Sequence, residues 1–179
     1  IRVLGTSEAL NNFQSVLHST FVDVLTRKWL VSVDGIYKGK VGDSDEHNVY
    51  VDIGSAVGKI SKSEINASDR HVIVQVERRR IGAKQPVLTT NLKIVGNYAI
   101  LAQNSKVGVS LKIRDLTKRA ELYVLGKTLA PEGWGIIWRE SATNQPRETL
   151  ENEIAALIEK VKVLNEKAFQ AKAPTLLIE

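Results

Sequence analysis

Residues 35–65 read "GIYKGKVGDSDEHNVYVDIGSAVGKISKSEI". Apolar and polar residues alternate in short runs, glycines stand at the joints, and lysines lie between them. In "VYVDIG", Val49, Val51 and Ile53 fall on one face of a strand and Tyr50 and Asp52 on the other, because successive strand side chains point to opposite faces. Gly54 and Gly58 mark points where a strand bends or turns, and "GDSDEHN" reads as a polar turn. "HVIVQVERRR" alternates again and ends in a basic run. Four such strands before "QPVLTT" predict a small closed barrel over residues 35–90. Closure removes unpaired strand edges, and a five-stranded OB-type barrel is the economical form.

The flanking segments make the fold class α+β. Within residues 1–34, "IRVLGT" predicts a strand and "SEALNNFQSVL" a helix capped by Thr6 or Ser7; "TFVDVL" and "WLVSVDG" read as extended. After the barrel, "LKIVGNYAILAQ" predicts one or two strands around Gly96, "RDLTKRAELYVLGKTL" a helix, and "GWGIIWRES" a strand entered through Gly133 and Gly135. Trp134 and Trp138 read as core residues of that strand. Over 147–172, Leu150, Ile154, Leu157, Val161, Leu164 and Ala168 repeat at spacings of four and three, the signature of an amphipathic helix. Pro146 sits near its start and Pro174 stops it. Lysines and glutamates balance on its other face, as on a solvated surface. "TLLIE" predicts a last strand.

Composition excludes several chemistries. The 179 residues contain no cysteine, hence no disulfide, thiolate zinc site or cysteine nucleophile. His18, His47 and His71 form no ligand-spaced pair. No apolar run approaches a membrane span and no signal peptide is visible, so a cytoplasmic protein without membrane partners is expected. The chain has no methionine and starts at Ile1. Missing residues are therefore expected, with "NNFQSV", "TRKWLV" and "ASDRHV" as candidate joins, and motifs within a segment weigh more than spacings between segments.

The net charge is +5, and its excess is local. Between Lys59 and Lys93 stand Lys59, Lys62, Arg70, Arg78, Arg79, Arg80, Lys84 and Lys93, opposed by Glu64, Asp69 and Glu77. With Tyr37 and Tyr50 expected on the exposed face nearby, this pattern fits a single-strand binder, in which cations follow phosphates and flat rings stack on bases. The competing reading is a basic soluble surface with tyrosines half buried. Asp43, Asp45 and Glu46 read as turn-formers because the terminal glutamate of a calcium loop is missing. Asp23, Asp34 and Asp52 are isolated in sequence. No metal site and no catalytic residue is evident.

Nine segments carry a resemblance in order: "GIYKGKV", "NVYVDIG", "GKISKSEI", "VIVQV", "GAKQPVLTT", "KIVGNYAIL", "GVSLKI", "PEGWGIIWRESA" and "APTLLIE". Together they resemble the start of the ribonuclease E/G family, above all its shorter archaeal branch of AU-rich RNA-binding proteins. The resemblance implies an OB barrel (35–90) inserted in a ribonuclease-H-like fold, whose first part would be 1–34, and then a 5′-sensor-like region with the long C-terminal helix (91–179). It implies single-stranded, AU-rich RNA as ligand, with ribosomal RNA precursors as the substrate class of an endoribonuclease. Mg2+ would act in the full-length protein, with no cofactor in this chain. Tyr50 matches the family's RNA-facing aromatic in its "FVDYG"-like strand. Lys59 replaces a second aromatic in "GFLPL"-like segments, and Lys84 matches the basic residue before "LTT". Gly108 and Val109 fit the "GVSRKI"-like turn of the 5′-phosphate sensor. Arg139 matches the arginine of its "VRTA" motif, where Glu140 stands in place of threonine. The alternative is a protein-interaction or assembly module using the long helix, without nuclease activity.

Overall fold

The computed structural model describes residues 33–78 and 85–179. The expectations for "IRVLGT", "SEALNNFQSVL", "TFVDVL" and most of "WLVSVDG", and those for Asp23, Arg79, Arg80 and Lys84, lie outside the described residues.

The alternating segments form the expected barrel. Strands β1 (Ile36–Ser44), β2 (Asn48–Asp52), β3 (Val57–Ser61), β4 (His71–Arg78) and β5 (Val87–Thr89) lie in the order β1-β2-β3-β5-β4, and β4 pairs back onto β1 to close the ring. All pairings are antiparallel except β3–β5. This is an OB-type barrel. Its interior is filled by Tyr37, Val49, Val51, Ile53, Ile60, Val74, Val76 and Leu88. Burial of such side chains stabilises by about 1.5–3 kcal/mol each. A β-carbon at Gly58 would stand 2.5 Å from Leu88, so this narrow barrel takes no side chain there.

Two sequence expectations need correction. Tyr37 is only 5% exposed and packs inside the barrel. Gly39, two residues on, follows it inward, where a β-carbon would collide with the Val51 side chain. The residues of β1 that point outward are therefore Lys38 and Lys40, and Tyr37 does not share an exposed face with Tyr50. The turn "GDSDEHN" is also shorter than expected. β1 runs on through Ser44, with a one-residue register shift between Val41 and Ser44. The "ASDRHV" segment forms a turn in which Asp69 N–H donates to Asn66 O (3.0 Å) and Asn66 N–H to the Asp69 carboxylate (3.1 Å).

The second layer is a four-stranded sheet, β6 (Lys93–Val95), β7 (Ala99–Gln103), β8 (Gly108–Val109) and β9 (Trp134–Trp138), in the order β6-β7-β9-β8. Helix α1 (Leu116–Leu129) starts at Asp115, whose carboxylate accepts from Lys118 N–H at 3.1 Å, a side-chain N-cap. It packs on β8 and β9, and helix α2 (Arg147–Gln170) on β6 and β7. Leu150, Ile154, Leu157, Leu164 and Ala168 are buried, as the spacing predicts. Trp138 is fully buried, in keeping with its reading as core. A β-carbon at Gly126 of α1 would stand 2.9 Å from Trp138 Nε1, so this glycine is what lets helix and indole meet.

The two layers share residues. β10 (Thr175–Ile178) leaves the second layer and pairs antiparallel with the start of β1. Ile36 and Leu177 are buried in the second core with Leu101 and Ile136. Lys38 donates to the carbonyls of Ala168 (2.7 Å) and Ala171 (2.8 Å) at the end of α2, where a cation favours the exposed carbonyls. Gln75 of β4, 4% exposed, donates through Nε2 to the carbonyls of Asp34 and Lys93 (both 2.9 Å), and its Oε1 accepts from Lys93 N–H (2.7 Å). One amide thus pairs the barrel with edge strand β6.

Replacing Gln75 by leucine leaves those part-buried backbone groups without this partner. The expected loss is about 2–3 kcal/mol of unfolding free energy, read from urea denaturation. A loss below about 0.5 kcal/mol, the range of an ordinary surface change, would show that water replaces the amide.

Candidate nucleic-acid interface

The outer wall of the barrel is divided. One side, around Ile36, Lys38, Ile73 and Gln75, lies against the second layer. The wall made by β2 and β3 stays open. Here Tyr50 stands directly opposite Lys59 in the β2–β3 ladder, with Asn48 opposite Ser61 and Asp52 opposite Val57. Directly opposed residues share a face with their β-carbons about 4.5–5.5 Å apart. Since Val49, Val51, Gly58 and Ile60 point inward, the face of Tyr50 and Lys59 is the outer one, and both side chains are partly exposed. Lys62 is exposed in the one-turn 3-10 helix Lys62–Glu64 after β3, and its N–H donates to His47 O (3.0 Å). Three of the expected RNA-contacting residues therefore lie together. Tyr37 is excluded from this surface by burial, and Lys84 lies outside the described residues.

The turn between β1 and β2 fixes the tyrosine. Asp45 Oδ1 accepts N–H bonds from His47 (2.8 Å) and Asn48 (2.7 Å), and Oδ2 accepts the Tyr50 hydroxyl at 2.7 Å. These bonds favour the ionised carboxylate. They hold Asp45 well below the ordinary carboxylate range, the Tyr50 hydroxyl being the largest cause. The same bond, with partial desolvation and the Asp45 charge, pushes the phenol above the ordinary tyrosine value. The sign follows for both partners. Asp45 stabilises the turn above the usual carboxylate pKa and ceases to as pH falls through its lowered value. Tyr50 contributes below the usual tyrosine pKa and ceases to as pH rises through its raised one. The bond is therefore intact across neutral pH.

Behind this face, Glu64 Oε2 accepts from Thr89 Oγ1 (2.8 Å), Thr90 N–H (2.8 Å) and Thr90 Oγ1 (3.2 Å). The "LTT" segment thus anchors the turn that carries Lys62.

A second basic site lies where parallel strands β8 and β9 end. Gly108 pairs with Ile137 and Val109 with Trp138, which brings the Gly108–Val109 turn beside Arg139. Ser110, Lys112, Arg139, Glu140 and Ser141 line an open cavity of about 430 Å³ there. Gly108, Val109 and Arg139 are therefore neighbours. Arg139 does not pair with Glu140; its guanidinium donates to Gly96 O at 2.7 Å. Glu140 instead faces Lys112 at 3.5 Å, an exposed pair of little energetic weight.

Three residues of this site escaped the sequence reading. Arg119 of α1 donates to the carbonyls of Ser110 (2.6 Å) and Ile113 (2.9 Å), holding the turn. Glu153 of α2 accepts from the N–H groups of Asn97 (2.6 Å) and Tyr98 (2.8 Å), and Ser141 donates to Asn97 O (2.6 Å). Glu153 and Ser141 act on backbone distant in sequence, and Arg119 on the segment just before its own helix. A hollow of about 550 Å³ between α1 and the start of α2 is lined mainly by Leu122, Val124, Leu125 and Leu150. Its cations, Lys118 and Arg147, pair with Glu121 and Glu151.

Among the described residues the acidic side chains do not assemble. Among the described residues no three His, Cys, Asp or Glu side chains converge to hold a metal ion. Asp45 is committed to the turn and Asp52 accepts from Gly54 N–H (2.8 Å). This donor set, among the described residues, does not fit Mg2+. Also among the described residues, no helix is long and apolar enough to cross a membrane.

Comparison with known proteins follows the same lines. Residues 93–179 match the model of the ribonuclease E/G family. Over 99% of its length the chain is 38% identical to the probable ribonuclease FAU-1 of Thermococcus gammatolerans and 34% identical to that of Thermococcus kodakarensis. It spans 38% of the length of each of these relatives. Over 83% of its length it is 28% identical to ribonuclease E of Synechocystis sp., covering 23% of that protein.

The Tyr50 phenol is expected to titrate above the free-tyrosine value in an ultraviolet absorbance titration, and Asp45→Ala to bring it down. An unchanged titration in the variant would show that the hydrogen bond is not formed in solution.

Proposed function

The chain is a ribonuclease E/G family member through residues 93–179, and on that premise we propose that its barrel binds single-stranded RNA as part of an endoribonuclease. The observation that carries the reading is the cross-strand pair of Tyr50 and Lys59 on the open wall, with Lys62 beside it. A ring offers every base a stacking surface, and flanking cations meet the phosphates without reading sequence. Lys59 in place of an aromatic shifts the balance toward phosphate, so binding depends strongly on salt. The preference for AU-rich RNA, a substrate among ribosomal RNA precursors or decaying messages, and a cytoplasmic location rest on the family resemblance. So does the division into an OB barrel at 35–90 and a sensor-like region at 91–179. The carboxylate–metal chemistry of cleavage is assigned to parts of the protein other than the described residues.

At the second site, the proposal is a weak hold on RNA 5′ ends. Lys112, Arg139 and the Gly108–Val109 turn provide donors, but the Glu140 carboxylate repels a phosphate and donates no hydrogen bond.

Three measurements test this reading. In electrophoretic shifts, unpaired AU-containing RNA should bind better than a duplex of equal length, and added salt should weaken binding. Tyr50→Ala should weaken it by about 1–3 kcal/mol, while Lys59→Ala should lower the salt slope by about one. Equal affinity for duplex, or a folded Tyr50→Ala protein with unchanged affinity, removes the stacking model. A 5′-monophosphate should add less than about tenfold over a 5′-hydroxyl, or roughly 1.4 kcal/mol, with Glu140→Thr raising the preference. A tenfold preference in the parent would show that Arg139 and the turn suffice. Incubated with labelled, loop-containing RNA and magnesium or manganese, the chain should cleave weakly or not at all. Robust cutting abolished by chelator would place a metal site within these 179 residues.

A further inference from the structure

We infer that Asp45 is a positioning residue of the RNA-binding face, acting through Tyr50 by holding its ring in the orientation that stacks on a base. The inference rests on the RNA-binding reading of the barrel.

The geometry is a relay from turn backbone to ring. The turn is closed by Asp45 N–H donating to Asn48 O at 2.9 Å. The Asp45 carboxylate is fixed by the N–H groups of His47 and Asn48, and Asn48 Nδ2 reaches both of its oxygens at 3.3 Å. The remaining capacity of Oδ2 is directed at the Tyr50 hydroxyl, five residues on and across the hairpin turn. A partly exposed tyrosine on a strand samples more than one rotamer, and ordering it on binding costs affinity. Here the rotamer is set before any ligand arrives.

The placement of the carboxylate makes the role testable. Asp45 stands beside a face that presents the cations Lys59 and Lys62 together with the carboxylate of Asp52. By charge alone it opposes a polyanion, and removing it should tighten binding. A positioning role predicts the opposite sign.

The test measures affinity of the full chain for a short unpaired AU-containing RNA, and for the same RNA with abasic positions, by fluorescence anisotropy. Thermal melts report folding. Asp45→Ala should weaken binding to the intact RNA about three- to tenfold and leave binding to the abasic RNA unchanged or tighter, because only a base uses the oriented ring. Asp45→Asn keeps one acceptor oxygen for the turn N–H groups and places an NH2 where Oδ2 stood, able to donate to the Tyr50 phenol oxygen, so it should stay within about twofold of the parent. In a Tyr50→Ala background, Asp45→Ala should cause no further loss. If Tyr50→Ala weakens binding while Asp45→Ala does not, the positioning role is overturned and the RNA-binding reading stands. An equal loss from Asp45→Ala with and without Tyr50 also overturns it, since Asp45 would then serve only the turn. If Tyr50→Ala itself leaves affinity unchanged, stacking on Tyr50 falls and the inference falls with it.

Discussion

The Gln75 side chain is the constraint on which the arrangement of this protein turns. A primary amide has the same donor and acceptor as a peptide group, and here it pairs with both backbone groups of Lys93 as a neighbouring strand would. It also takes up the Asp34 carbonyl at the entrance to β1. The amide sits on the barrel wall that is turned away from solvent. It therefore ties the closed barrel to the edge of the second sheet with both its own nitrogen and oxygen paired. Buried polar groups are tolerated when every member is satisfied, and they then specify one arrangement among several that apolar packing alone would permit.

That docking decides which surfaces remain free. Ile36, Lys38 and Leu177 are used up between the layers: two as core, one as a cap on the carbonyls that end α2. The β2–β3 wall is what remains of the barrel for a ligand. The second layer is braced in the same manner, by side chains on helices that reach backbone in loops. Arg119 grips the segment after β8, and Glu153 the turn before β7. The segment after β8 and the turn before β7 are thereby held by the protein's own side chains. Arg139, spent on the Gly96 carbonyl, helps to build this site as well as facing its cavity.

Charge is distributed in keeping with that division. Along α2, ion pairs such as Arg147–Glu151 and Glu159–Lys162 are exposed and local, and they contribute little to stability. On the open wall, Lys59 and Lys62 have no carboxylate partner recorded within salt-bridge distance among the described residues. Of the carboxylates near them, Asp45 is committed to the turn and to Tyr50, Glu64 to Thr89 and Thr90, and Asp52 to Gly54 N–H. A face that presents cations and a fixed ring is the kind a flexible polyanion with flat bases can use.

What the sequence determined by itself is local and periodic. Alternation at period two identified the barrel strands and put Val49, Val51 and Ile53 inside, and the spacing of four and three identified α2 and its buried stripe. Tyr50 was legible as an outward residue because it is flanked by inward ones, and Lys59 through the family resemblance. Tyr37 was not, since β1 is contacted on both faces: its inward side fills the barrel and part of its outer side meets the second core. With apolar residues on both faces, period two no longer tells in from out. Only the tertiary structure decided that Gln75 joins the layers, that Lys38 ends a helix 130 residues away, and that Arg139 bonds to Gly96. Each is a side-chain contact to backbone distant in sequence, and neither spacing nor hydrophobic pattern encodes such a contact. It exists only once β10 has returned to β1 and the sheets have been brought together.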